Sequence, residues 1–191
     1  MGKYEWNNKL RQIPMSLLSN LQLMSQYNQW MNQKVYQTAH ELGEKKIKQD
    51  RGAFFGSLLA TLNHIYVADI IWLRRFARHP KQYQSLQHLP ELANYTELNQ
   101  TVADDLESLD KLRKELDNQI INWCQEIDPE DLESNLQYTD TKGNPYNKNF
   151  GQLIHNLFNH QTHHRGQATT LISQEGLDLG VTDWLAILPE Q

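Results

Sequence analysis

Apolar residues recur along most of this chain at steps of three and four, the period of one helix face, and the scarce glycines and prolines fall between the periodic stretches. The pattern predicts four long helices. The first runs from Pro14 to Leu42, where Leu17, Leu21, Met24, Met31 and Val35 form an apolar stripe with one polar member, Asn28. Pro14 suits a helix start, because its missing N–H costs nothing there, and Gly43 suits the C-cap. The second runs from Ala53 to Ala77, capped by Asp50 and ended before Pro80. The third runs from Thr96 to Ile127 on a stripe of Val102, Leu106, Leu109, Leu112, Leu116, Ile120 and Trp123. Its charged residues, Asp104, Asp105, Glu107, Lys111, Arg113, Lys114 and Glu115, read as a solvated outer face. The fourth runs from Asn149 to Gln174, with Gly176 ending it.

Between the third and fourth helices the period changes. Asn135 to Tyr146 is rich in β-branched and aromatic residues around Lys142-Gly143-Asn144, and it reads as a small hairpin or ordered loop. The tail from Thr182 to Leu188 has the makings of one or two helical turns. Four long helices with short connections predict an all-α fold, a four-helix bundle, as a single domain over residues 1–191.

The fourth helix carries the chemistry. Its stripe runs Phe150, Leu153, Leu157, His160, His164, Gln167, Leu171: apolar at both ends, polar for three positions in the middle. His160 and His164 are four residues apart, so their rings lie on one face, roughly 40° apart around the axis. A buried polar group without a partner costs on the order of 1–3 kcal/mol. The pair therefore needs either hydrogen-bonding partners on a facing helix or a shared metal ion. His64 could complete such a site, since it lies on a second-helix stripe of mostly small residues, Ser57, Thr61, Ala68 and Ile71. Three imidazoles leave a coordination position for water or substrate, the arrangement of catalytic rather than structural sites. His163 and His155 lie roughly 60° and 140° from His160 on the same helix. His40, His79 and His88 stand near segment ends and read as surface residues. Asp69, five positions beyond His64, points away from it and reads as a surface or interhelical residue.

Composition narrows the chemistry further. Hydrophobic residues make up 39% and charged residues 21%, the globular range. A net charge of −5 without a basic cluster speaks against a nucleic-acid partner. No signal-peptide core follows Met1 and no long apolar run appears, so the expected location is cytoplasmic, with no membrane partner. Cys124 is the only cysteine, so any metal must rest on histidine and carboxylate.

His160-Gln161-Thr162-His163-His164-Arg165-Gly166-Gln167 resembles the H-x-x-x-H-R-G-Q signature of the DinB-like (DinB/YfiT-like) metalloenzymes. Similarity continues through Tyr27-Asn28-Gln29-Trp30-Met31-Asn32, Arg51-Gly52-Ala53-Phe54-Phe55-Gly56-Ser57-Leu58, Leu62-Asn63-His64, Gly176-Leu177-Asp178 and Thr182-Asp183. The resemblance implies an up-down-down-up bundle holding a divalent metal, zinc or nickel, on His64, His160 and His164. It also implies thiol-dependent chemistry of the S-transferase or isomerase kind, using a low-molecular-weight thiol, and a homodimer; an ion that lowers the pKa of bound water toward about 7 equally allows a hydrolase acting on a small-molecule substrate. Tyr27, Asn28, Arg165 and Gln167 are then candidates for contacts to substrate or to the ligands. The bland roles for the last two are a salt bridge and a core hydrogen bond. The alternative to an enzyme is a metal-stabilised or ligand-sensing dimeric bundle, with Trp6, Trp30 and Trp72 as interface candidates, although Trp30 and Trp72 read first as buried core. A fourth protein ligand closing the shell would mark it.

Overall fold

The computed structural model describes residues 16–94 and 97–188. Trp6, Pro14 and Thr96, named above, lie outside the described residues. The long helices are α1 (Leu17–Leu42), α3 (Leu58–Phe76), α4 (Leu106–Glu126) and α6 (Phe150–Ser173). Two short helices, α2 (Glu44–Lys48) and α5 (Pro129–Glu133), sit in the connections. Strands β1 (Asn135–Thr139) and β2 (Pro145–Asn149) pair antiparallel as the expected hairpin, with Tyr138 opposite Tyr146. Residues 184–187 form a turn of 3-10 helix.

Side-chain pairs give the helix directions. Gln22, Asn32 and His40 on α1 meet Cys124, Asp117 and Asp110 on α4, so these two run antiparallel. Leu17 lies against Gly151 and Asn28 accepts from Arg165, so α1 and α6 run parallel. On α3, His64, Asp69 and Phe76 meet His164, Gln161 and Phe150 of α6 in descending order, an antiparallel pair. Asp69 and Phe76 meet Arg113 and Trp123 of α4, a parallel pair. The sense is up, down, down, up.

Two parallel neighbours cannot be joined by a tight turn, so the connection from α3 to α4 travels back along the bundle, its described parts being residues 77–94 and 97–105. This overturns the expectation of short connections throughout. The crossover buries Tyr83, Leu86, Leu89, Leu92 and Ala103 against the helices. It also explains why every residue from Thr61 to Ile71 is buried: α3 is covered on all sides.

Helix starts differ from expectation for local reasons. α3 begins at Leu58, not Ala53, because Ser57 accepts from Ala60 N at 3.1 Å and caps it. Asp50 instead accepts from Gly52 N at 2.9 Å, holding a turn outside the helix. α4 begins at Leu106, where Asp105 accepts from Ser108 N at 2.8 Å. The preceding backbone is taken by Asn63, whose amide oxygen accepts from Val102 N and Ala103 N. Leu17, placed in the first stripe, is 45% exposed at the end of its helix. Trp30 and Trp72 are half-buried rather than core.

The core has three levels along α3. At its C-terminal end, Phe76, Trp123 and Phe150 pack with Tyr83 and His79. His79 is 5% exposed, contrary to the surface role read from sequence, and its Nε2 lies 3.0 Å from Ser134 Oγ. The middle level is polar and charged. Arg113, placed on the solvated face of its helix by sequence, is 2% exposed and bridges Asp69 and Asp117. The third level holds the histidines.

Candidate metal centre

His64 sits two turns into α3, in a stretch fixed by the Ser57 cap and by Thr61 Oγ1 donating to Ser57 O at 2.9 Å. His160 and His164 sit on consecutive turns of α6, with ring centroids 4.3 Å apart. The His64 ring lies 5.2 Å from His160 and 4.5 Å from His164. One ring nitrogen from each lies within 4.8 Å of the others, forming a three-imidazole group that could hold a metal ion.

Neighbouring acceptors set the tautomers. His64 Nδ1 lies 2.7 Å from the Leu98 carbonyl oxygen, which can only accept, so Nδ1 carries the proton. His164 Nδ1 donates to Gln167 Oε1 at 2.8 Å. Both Nε2 atoms are thereby left with bare lone pairs, and they face each other at 3.2 Å. Two lone pairs at that distance repel unless a cation lies between them. Tetrahedral coordination with metal–nitrogen bonds of about 2.0–2.1 Å places nitrogens roughly 3.3 Å apart. His160 Nδ1 is buried without a hydrogen-bond partner. The donor set, the tautomers and this orphaned nitrogen all fit a divalent ion that accepts imidazole.

Burial lowers the pKa of all three rings. His160 is driven down to about 3, with His164, His64 and His163 adding to the effect. For His64 the Leu98 carbonyl works against burial, and for His164 the Gln167 amide does. The rings are therefore neutral at neutral pH, the form that binds metal. Among the described residues no carboxylate or thiol joins the group.

Sequence reasoning set the two α6 histidines inside the bundle. They are half-buried, as is Gln167, while His64 is 4% exposed. The buried face of α6 lies one position round, through Leu157, Gln161, Arg165 and Ala168. Gln161 donates to Asp69 Oδ2 at 2.8 Å, and Arg165 donates to Asn28 and Gln161. Asn28 and Asn32 donate in turn to Asp117. This network satisfies the Arg165 guanidinium in the core and leaves His160 and His164 half-buried at the core's edge. Asp69 is 0% exposed and interhelical, so its surface alternative is excluded; burial raises its pKa to about 6 against the pull of Arg113.

Of the sequence candidates, the structure gathers His64, His160, His164 and Gln167 at one point. Asn28 and Arg165 are in the polar core, 1% and 3% exposed. Tyr27 is half-buried, its hydroxyl donating to Thr182 O at 2.8 Å and its ring 5.7 Å from the Arg165 guanidinium. His163, His155, His40 and His88 are exposed. Two contributors had no role assigned from sequence. Phe55 stacks on His64 at 4.0 Å and meets His164 edge-on at 5.5 Å, covering one side of the centre. Leu98 acts through its backbone. Cys124 is wholly buried, and burial pushes its thiol up to about 12, so it takes no part.

The chain is 27% identical to "Protein DinB" of Bacillus subtilis (strain 168) over 159 residues, covering 83% of this chain and 88% of that protein. No solved structure matches the chain. The DinB family profile matches residues 15–190, and the chain belongs to the DinB family.

Proposed function

We propose that this protein is a divalent-metal-dependent enzyme of the S-transferase or hydrolase type, with His64, His160 and His164 as ligands and zinc or nickel as the ion. The observation that carries the reading is the pair of bare Nε2 atoms facing each other at 3.2 Å, each with its Nδ1 proton already committed. An ion held there would act as a Lewis acid, lowering the pKa of water toward about 7 or holding a small thiol as thiolate. Gln167 and the Leu98 carbonyl orient the ligand rings, and Phe55 shields one side of the centre from water. Asn28 and Arg165 hold α1 and α6 in register behind the ligands. Tyr27 braces the tail segment near Thr182 against α1. Three ligands among the described residues support an open coordination position, and so an enzyme over a closed structural site.

The proposal extends to a low-molecular-weight thiol as co-substrate and a second copy of the chain as partner, in the cytoplasm. Phe54, Val181 and Leu185 are 86%, 60% and 75% exposed, apolar surface that pairing would cover. Nucleic acid and membrane are not among the proposed partners. No helix among the described residues is long and apolar enough to cross a membrane.

Elemental analysis of protein purified without a histidine tag tests the metal. The expected result is about one ion per chain, lost in His64→Ala and in His160→Ala. Folded wild type that takes up no ion overturns it. A screen pairing small thiols with electrophiles, run beside hydrolase substrates, tests the chemistry. Turnover only without thiol discards the transferase form.

A further inference from the structure

The far end of α3 carries a cleft. It encloses about 760 Å³ between the last turns of α3, the start of the crossover and the end of β1. That volume is in the range of small-molecule sites. Ile71, Leu86 and Leu89 give it an apolar floor, and Arg74, Arg75 and Arg78 line its wall. Arg75 stands eleven residues beyond His64, roughly 16 Å along the helix axis, so the cleft is separate from the metal centre.

The charges in this wall are unevenly matched. Arg74 pairs with Glu91 at 3.0 Å and donates to the Leu89 and Pro90 carbonyls. Asp140, the other acid in the wall, is committed to the hairpin turn. Its oxygens accept from Lys142 N, Asn144 N, Asn144 Nδ2 and the Tyr146 hydroxyl. Arg75 lies over Trp72 and Tyr138, its guanidinium 4.6 Å and 5.1 Å from the ring centroids. The two rings hold its plane, yet it makes no ion pair or hydrogen bond with another described residue. Arg78, one turn on, is exposed and equally without an acidic partner among the described residues. Arg78 also lines a further cleft of about 440 Å³ beside the hairpin, so its side chain borders both.

We propose that this cleft binds a small organic anion, an apolar body carrying one phosphate or carboxylate group held between Arg75 and Arg78. A planar guanidinium fixed by stacking, with its N–H donors unspent, matches such a group in two-point contact. Burial disfavours charge on Arg75, and the neighbouring Arg78 adds to this; Tyr138 and Asp140 offset only part of it. A bound anion relieves that penalty. The apolar floor selects an organic anion over inorganic phosphate.

Calorimetric titration of the full chain with phenyl phosphate, benzoate and inorganic phosphate tests this. Phenyl phosphate or benzoate should saturate one site per chain, more tightly than inorganic phosphate. Affinity should fall about tenfold or more in Arg75→Gln and in Arg78→Gln, the loss of a charge-assisted contact. It should persist in His64→Ala, since the metal centre is elsewhere. If Arg75→Gln fails to fold, Arg78→Gln decides alone, because that side chain is exposed and unpaired. No saturable binding means that the arginines only offset the C-terminal dipole of α3, and overturns the proposal. So does binding that survives both arginine changes, or that disappears in His64→Ala. Inorganic phosphate binding as tightly as phenyl phosphate overturns the apolar half.

Discussion

A histidine binds metal through a nitrogen free of its proton, and in two of these three rings, His64 and His164, an acceptor on the far side holds the proton on Nδ1. Gln167 does this for His164 at 2.8 Å, one turn along the same helix. Replacing Gln167 with Ala should lower metal affinity roughly 10–100-fold, the usual cost of losing such a backing contact. Gln167→Glu, which keeps an acceptor, should retain it. Competition with a chromophoric chelator measures both, and wild-type affinity in Gln167→Ala would remove the role. Much of this was legible in the sequence, because residues three and four apart on one helix must meet. His160, His164 and Gln167 are such a set. Leu98 was not legible: it contributes a backbone carbonyl, which any residue at that position would carry. Phe55 was hidden for a related reason, since a loop aromatic stacked on His64 follows no period.

At the scale of the helices, periodicity located all four long elements, and the disagreements lie where a side chain competes for the backbone. Asn63 takes the N–H groups of Val102 and Ala103, so a stripe that looked continuous from Val102 becomes helical only at Leu106. Arg113 misled in a different way. It stands among charged neighbours along the chain, and nothing local reveals that Asp69, 44 positions away, is its partner. The pairing is energetically demanding. Asp69 Oδ2 accepts from Arg113 at 2.6 Å and from Gln161 at 2.8 Å, joining α3, α4 and α6 at one oxygen. Removing one partner of a buried pair leaves an uncompensated charge and costs about 3–5 kcal/mol. Asp69→Ala should therefore lower stability by that order in urea denaturation, while surface Lys111→Ala should change it little. A loss below about 1 kcal/mol would show that Asp117 alone satisfies Arg113.

For the whole molecule, the crossover makes the histidines a matter of global stability, since it brings the Leu98 carbonyl to His64 while His164 belongs to α6. Nothing in the local pattern of residues 77–105 announced this path; it follows from α3 and α4 running parallel. The buried rings also couple folding to pH. His160 has a folded pKa of about 3, below its unfolded value of about 6.5. Between those values the unfolded chain binds more protons, so the contribution is complete above about pH 6.5 and is lost as pH falls toward about 3. Asp69 and Asp117, both raised by burial, act in the opposite sense, so the histidine term is read by difference. On moving metal-free protein from about pH 7.5 to about pH 5.5, wild type should lose more urea stability than His160→Gln, because the aspartate contribution is common to both. Equal losses would mean that the ring is not desolvated in the folded protein.

The deep placement of Cys124 has a practical bearing on the proposed chemistry. Its sulfur is closed to solvent and protonated far into the alkaline range, which leaves the native protein inert to disulfide exchange and alkylating reagents. Ellman's reagent added during turnover would therefore count only the thiol supplied from outside, and an electrophile consumed without that thiol could not be charged to the polypeptide's own sulfur.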